Sequence, residues 1–224
     1  MPHFESATVH ECAVRVPAGV HRLDGILGLP PRPRGVVLFA HGSGSGRLSP
    51  RNQYVAHELQ AEGFATLLID LLTMDEVEDR ANVFDIELLA GRLRDAAAWV
   101  RQEPRTRSLD LGLFGASTGA GAALVAAARS PERVKAVVSR GGRPDLAGPY
   151  LARVQAPTLL IVGGWDEPVI ELNREAMERM PGRKELVIVP EATHLFEEPG
   201  KLEEVARLAA DWFARHLPTE EWRA

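Results

Sequence analysis

Residues 109–128, LDLGLFGASTGAGAALVAAA, constrain this chain more than any other stretch. Residues 109–114 are a short apolar run of the kind that forms a strand buried on both faces. Residues 120–129 are small, alanine-rich and free of proline, which predicts a helix. Between them, Gly115-Ala116-Ser117-Thr118-Gly119 matches G-x-S-x-G at a strand-to-helix turn. So sharp a turn holds Ser117 in a strained backbone conformation and lifts its hydroxyl off the sheet end. It leaves no room for side chains at Gly115 and Gly119. The helix that follows points its unpaired N–H groups at the same place. The plain alternative is a glycine-rich turn with an incidental serine.

The rest of the chain is built to surround that turn. Residues 8–16 and 21–29 read as a hairpin about Pro17-Ala18-Gly19. Apolar runs at 35–40, 64–69, 134–138, 158–162 and 185–189 predict further strands. Helices are predicted over 50–62, with Ser49 as cap and Pro50 in the first turn, and over 85–102, 169–180 and 201–216. In the second of these, Ile86, Leu89, Leu93 and Ala97 form one apolar stripe. An acidic connector spans 71–84, and 139–156 is irregular. Strands and helices alternate from residue 35 onward. This pattern implies an α/β fold: right-handed crossovers and a mostly parallel sheet covered on both faces. A single domain over 1–224 is expected, because no loop is long enough for a separate cap.

Composition limits the function. The net charge of -5 argues against a nucleic-acid partner. Cys12 is the only cysteine, so no internal disulfide forms, which fits a reducing compartment. The first ten residues carry no signal-peptide pattern, and no apolar run approaches a membrane span. The expectation is a cytoplasmic protein without a membrane partner. No paired metal-ligand spacing is present, and no cofactor is implied.

In a parallel sheet, ligands bind beyond the carboxyl ends of the strands. Three polar residues fall there: Ser117, Asp166 after the 158–162 strand, and His194 after the 185–189 strand. A serine hydroxyl attacks a carbonyl only once a base takes its proton. His194 supplies that base, and Asp166 fixes its tautomer and stabilises the imidazolium. An oxyanion hole completes the set, with one N–H from Thr118 and one from the loop His41-Gly42-Ser43-Gly44-Ser45-Gly46, at Ser43. Asp145 is the rival acid. His41 reads as structural, hydrogen-bonded behind the oxyanion loop, or as a catalytic base. Arg140 leaves a strand end near Ser117 and could pair a substrate carboxylate, or bridge to Asp145 or Asp166. Arg47 and Arg51 are weaker candidates for the same task. Trp165 reads as packing, and Asp70 and Glu167 as solvated loop residues.

On these pieces the chain resembles serine hydrolases of the α/β-hydrolase fold, and most of all the dienelactone-hydrolase-related group. The matching segments are HGSGSG, GASTGAG, GGWDEPV and ATHLF, in that order. The resemblance implies an eight-stranded, mostly parallel sheet, which the hairpin and six later strands supply. It also implies acyl-enzyme chemistry on small esters. Dienelactone hydrolases in the narrow sense carry a cysteine nucleophile; Ser117 here points to carboxylic ester hydrolysis in general, lactones and thioesters included. Acyl transfer or peptide cleavage on the same residues, and a non-catalytic ligand-binding protein of this fold, are the alternatives.

Overall fold

A computed structural model describes residues 8–217. Most of the stretch read for a signal peptide, residues 1–7, lies outside them.

The strands are β1 (His10–Ala18), β2 (His21–Leu29), β3 (Val36–Ala40), β4 (Ala65–Ile69), β5 (Leu111–Ala116), β6 (Val134–Arg140), β7 (Thr158–Gly163) and β8 (Lys184–Val189). They form one sheet in the order β1-β2-β4-β3-β5-β6-β7-β8. The β1–β2 and β2–β4 pairs are antiparallel, and all others are parallel. Every residue of β3, β4, β5 and β7 is buried. That is why these segments read as unbroken apolar runs: both faces are covered. Val37 and Phe39 face the layer of α1 (Pro50–Ala61) and α7 (Lys201–His216). Val36, Leu38 and Ala40 face the layer of α4 (Ile86–Val100) and α5 (Thr118–Arg129). A further helix, α6 (Glu167–Arg179), packs on the α5 side through Ala176.

The strand order reverses between β3 and β5. The chain leaves β3 toward the α1 face and leaves β5 toward the α5 face, so a crevice opens where the two diverge. The glycine loop and the serine turn flank that crevice.

Two stretches are more ordered than the sequence suggests. Residues 144–153 form a kinked 3-10 segment, Pro144–Arg153. The acidic connector folds into two short helices, α2 (Met74–Glu78) and α3 (Arg80–Phe84). Thr73 and Glu76 close a reciprocal capping box on α2. Glu76 also binds the buried Arg92 of α4 at 2.6 Å, and Arg92 donates to the Ala18 carbonyl at 2.7 Å. Burial pushes the Glu76 carboxyl up, but the Thr73 N–H and the Arg92 guanidinium outweigh it and hold the group below its ordinary range. Glu76 of the acidic connector is thus an anchor for a small flap.

Candidate active site

Ser117 stands between β5 and α5 with φ 50° and ψ -122°, a conformation that costs a non-glycine residue free energy. Three backbone hydrogen bonds fix it: its N–H donates to the Arg140 carbonyl at 3.2 Å, and its own carbonyl accepts from Ala120 and Arg143. The helix packs directly under the end of β3. A Cβ at Gly119 would lie 2.2 Å from the Ala40 carbonyl oxygen and 2.5 Å from that of His41. Gly119 is therefore required by close approach.

Asp166 caps the start of α6, and its side chain is taken by the imidazole. His194 Nδ1 lies 2.6 Å from Asp166 Oδ2. A carboxylate only accepts, so Nδ1 carries the hydrogen and Nε2 keeps its lone pair. The loop bearing His194 is held tightly. Glu191 and Phe196 on either side both have positive φ, and Phe196 is buried. The Trp165 N–H donates to the Ala192 carbonyl at 3.0 Å. A Cβ at Gly163 would meet the Ala192 and Thr193 carbonyl oxygens at 2.4 and 2.5 Å, so glycine is what lets the two loops touch. The imidazole rests on Gly141, where a Cβ would lie 3.5 Å from its ring. Gly141 directly follows Arg140, the residue that pairs with the Ser117 N–H. The loop after β8 thus carries the His194 imidazole over the end of β6, the strand next to the one that bears Ser117. Among the described residues, the Ser117 hydroxyl takes part in no hydrogen bond.

The glycine loop meets the serine turn from the other side. The Ser43 N–H donates to Thr118 Oγ1 at 3.0 Å. Asp70, read from sequence as solvated, accepts from the Arg47 N–H at 2.7 Å and pairs with the Arg47 guanidinium, so it clamps the loop to the end of β4. Its partner lies 23 residues back in the chain, and only the β3–β4 pairing brings the two together. His41 is structural. Its Nε2 accepts the Leu71 N–H and its Nδ1 faces the Gly42 carbonyl, both at 2.9 Å. Burial lowers its pKa, against the opposing pull of Gly42 and Asp70.

The remaining candidates divide. Asp145 is held by Arg143 through two bonds of 2.8 Å, not by His194. Arg140 bridges to neither Asp145 nor Asp166; two of its buried nitrogens have no partner. Arg51 pairs with Glu197 at 3.0 Å. Trp165 does not pack in the core but stands 61 % exposed.

A cavity of about 270 Å³ opens beside Thr118 and the glycine loop. Leu72, Val77, Val83 and Leu89 line its far wall, and Met74 of α2 stands over it, largely exposed. In sequence these side chains lie scattered among acids with no period, so the apolar wall was not legible there.

The model of the dienelactone hydrolase family matches residues 23–219. A solved dienelactone hydrolase from Anabaena variabilis is 58% identical, with a TM-score of 0.91, over 93% of this chain and 99% of that one. A Mycobacterium tuberculosis protein named provisionally as a phosphoribosyl transferase is 63% identical over 204 residues, covering 91% of this chain but 46% of that protein. A mouse peroxisomal succinyl-coenzyme A thioesterase is 30% identical over 130 residues, 57% of this chain and 29% of that protein. The chain thus spans less than half the length of these two curated relatives. No helix of the described residues is long and apolar enough to cross a membrane. With the α/β-hydrolase sheet and the family match in agreement, the chain belongs to the dienelactone hydrolase family of hydrolases.

Proposed function

We propose that this protein hydrolyses carboxylic esters through an acyl-enzyme on Ser117, with His194 as base and Asp166 as its orienting acid. The 2.6 Å Asp166–His194 contact, poised over the strand end next to Ser117, carries this reading. Ser117 Oγ attacks the carbonyl carbon while His194 Nε2 takes the hydroxyl proton. The Thr118 N–H and the Ser43 N–H, which is shared with the Thr118 hydroxyl, receive the oxyanion. As the tetrahedral intermediate collapses, the bond to the leaving oxygen breaks and that oxygen takes the proton from Nε2. Water then repeats the sequence, releasing the acid and restoring the serine. The adjoining cavity suits a compact apolar acyl group.

Thioester cleavage follows the same steps with sulfur as leaving atom, and the name of the mouse relative favours keeping it as a second reading. The phosphoribosyl transferase name belongs to a protein about twice as long, whose shared part overlaps most of the hydrolase match. Ser117→Ala should lower turnover of p-nitrophenyl acetate by ~10⁴–10⁶ with the fold intact. A fluorophosphonate probe should label Ser117 in the parent protein. Undiminished turnover in the variant, or no labelling of the parent, overturns the reading.

A further inference from the structure

Arg140 ends β6, and its side chain follows Ala136 and Val138 onto the face covered by α1 and α7. It is 7 % exposed, yet its Nε and Nη1 are sealed from solvent and bond to nothing. The charge that acts on it is a like one, Arg51 of α1. Burial, reinforced by Arg51, pulls its guanidinium down to about 10. Arg51 has a buried, unpartnered Nε of its own. The neighbouring acids are committed elsewhere: Asp145 to Arg143, Asp166 to His194, Glu197 to Arg51. A guanidinium buried without a counter-charge is among the costliest arrangements a protein can hold. Its planar fork of donors matches the oxygens of a carboxylate or phosphate.

The position of this pair gives the anion its place. The Arg140 carbonyl accepts the Ser117 N–H, so the buried charge and the candidate nucleophile sit on neighbouring strand ends. The apolar cavity lies on the opposite face, where Leu72 and Leu89 belong to the α4 side of the core. Ser117 stands between the two. With an acyl group in the cavity, the side left for the leaving group would be that of α1, where Glu197 ties Arg51 to the loop of His194. His194 is also the group that must protonate that leaving group.

We propose that Arg140 and Arg51 form an anion-binding subsite beside Ser117, taking a carboxylate or phosphate carried on the leaving-group side of the substrate. The leaving-group assignment rests on the ester-hydrolase reading; the anion binding does not.

Binding is tested without turnover in Ser117→Ala protein. At constant ionic strength, succinate or inorganic phosphate should raise the Tm, and neutral succinamide should not. Arg140→Met in the same background should abolish that rise and itself raise the anion-free Tm by about 2–4 °C, because it removes an unpaired buried charge. A purely structural Arg140 would give the reverse, a lower anion-free Tm. No anion effect in the parent, or an equal effect in both proteins, overturns the subsite. A difference between succinate and phosphate separates a carboxylate site from a phosphate site. For the substrate assignment, 4-acetoxybenzoate is compared with its neutral twin 4-acetoxybenzamide. The parent enzyme should favour the anion, and Arg140→Met should lose about 10- to 100-fold of that preference. Equal preference in both proteins overturns the leaving-group placement. Hydrolysis of neither ester, with anion binding intact, counts against the hydrolase reading alone.

Discussion

The Ser43 N–H donates to the Thr118 hydroxyl at 3.0 Å, joining the loop after β3 to the first residue of α5 across 75 positions of sequence. Both residues are proposed oxyanion donors, so the Thr118 side chain sets the spacing between them. Thr118→Val keeps the shape and removes the acceptor. Its kcat on a p-nitrophenyl ester should fall about tenfold, the worth of one such hydrogen bond. Thr118→Ser should recover most of the loss. Equal kcat for the valine and parent enzymes would show that the contact positions nothing.

The backbone of Ser117 is strained for any residue with a Cβ, at φ 50°. Relief of about 1–3 kcal/mol, less about 1 kcal/mol for the flexibility of glycine when unfolded, should make Ser117→Gly more stable than Ser117→Ala. Both variants lack the nucleophile. Calorimetry should place the glycine Tm a few degrees above that of alanine; the opposite order contradicts the strain.

Asp166, not Asp145, meets the imidazole. Asp166→Asn should lower kcat by ~10⁴, through the wrong histidine tautomer. Asp145→Asn should stay within a small factor of the parent. Steady-state kinetics on one ester distinguishes the two, and a large loss in the Asp145 variant alone reverses the assignment.

Gly163 admits the His194 loop because a side chain there would overlap two carbonyl oxygens at 2.4 and 2.5 Å. Backbone cannot yield as a flexible side chain can. Gly163→Ala should therefore cost several kcal/mol, about 3–5, and lower activity beyond the loss of stability. Urea denaturation with an activity assay on the folded fraction reads both effects.

His41 and His216 titrate below the ordinary 6.5 because burial disfavours their charged forms, with Arg183 and Arg215 adding to the effect at His216. The unfolded chain therefore takes up these protons first. The stability they contribute is full above pH 6.5 and is lost as pH falls below it. Glu76 and Glu103 lie below their ordinary 4.5 and act only in a lower window. Thermal melts from pH 8 to 5 should be level at first and then decline, less steeply in His216→Gln. A Tm that does not change between pH 7 and 5 contradicts this.

The sequence by itself determined the succession of strands and of the long helices between them, because runs buried on two faces must be continuously apolar and crossover helices must carry stripes. It also placed Ser117 and Asp166 at strand ends, through the glycines at 115, 119, 163 and 164, and His194 just past the last apolar run. Tertiary structure decided what local pattern does not encode. The switch of strand order between β3 and β5 set the crevice, and the antiparallel entry of β2 fixed the sheet edge. Asp70 found Arg47, the acidic connector became an anchored flap, and Arg140 was left buried without an acid. Each of these depends on which residues meet across tens of positions. A charge looks the same in sequence whether it is solvated, paired or isolated, and only packing removes the water that makes those states differ.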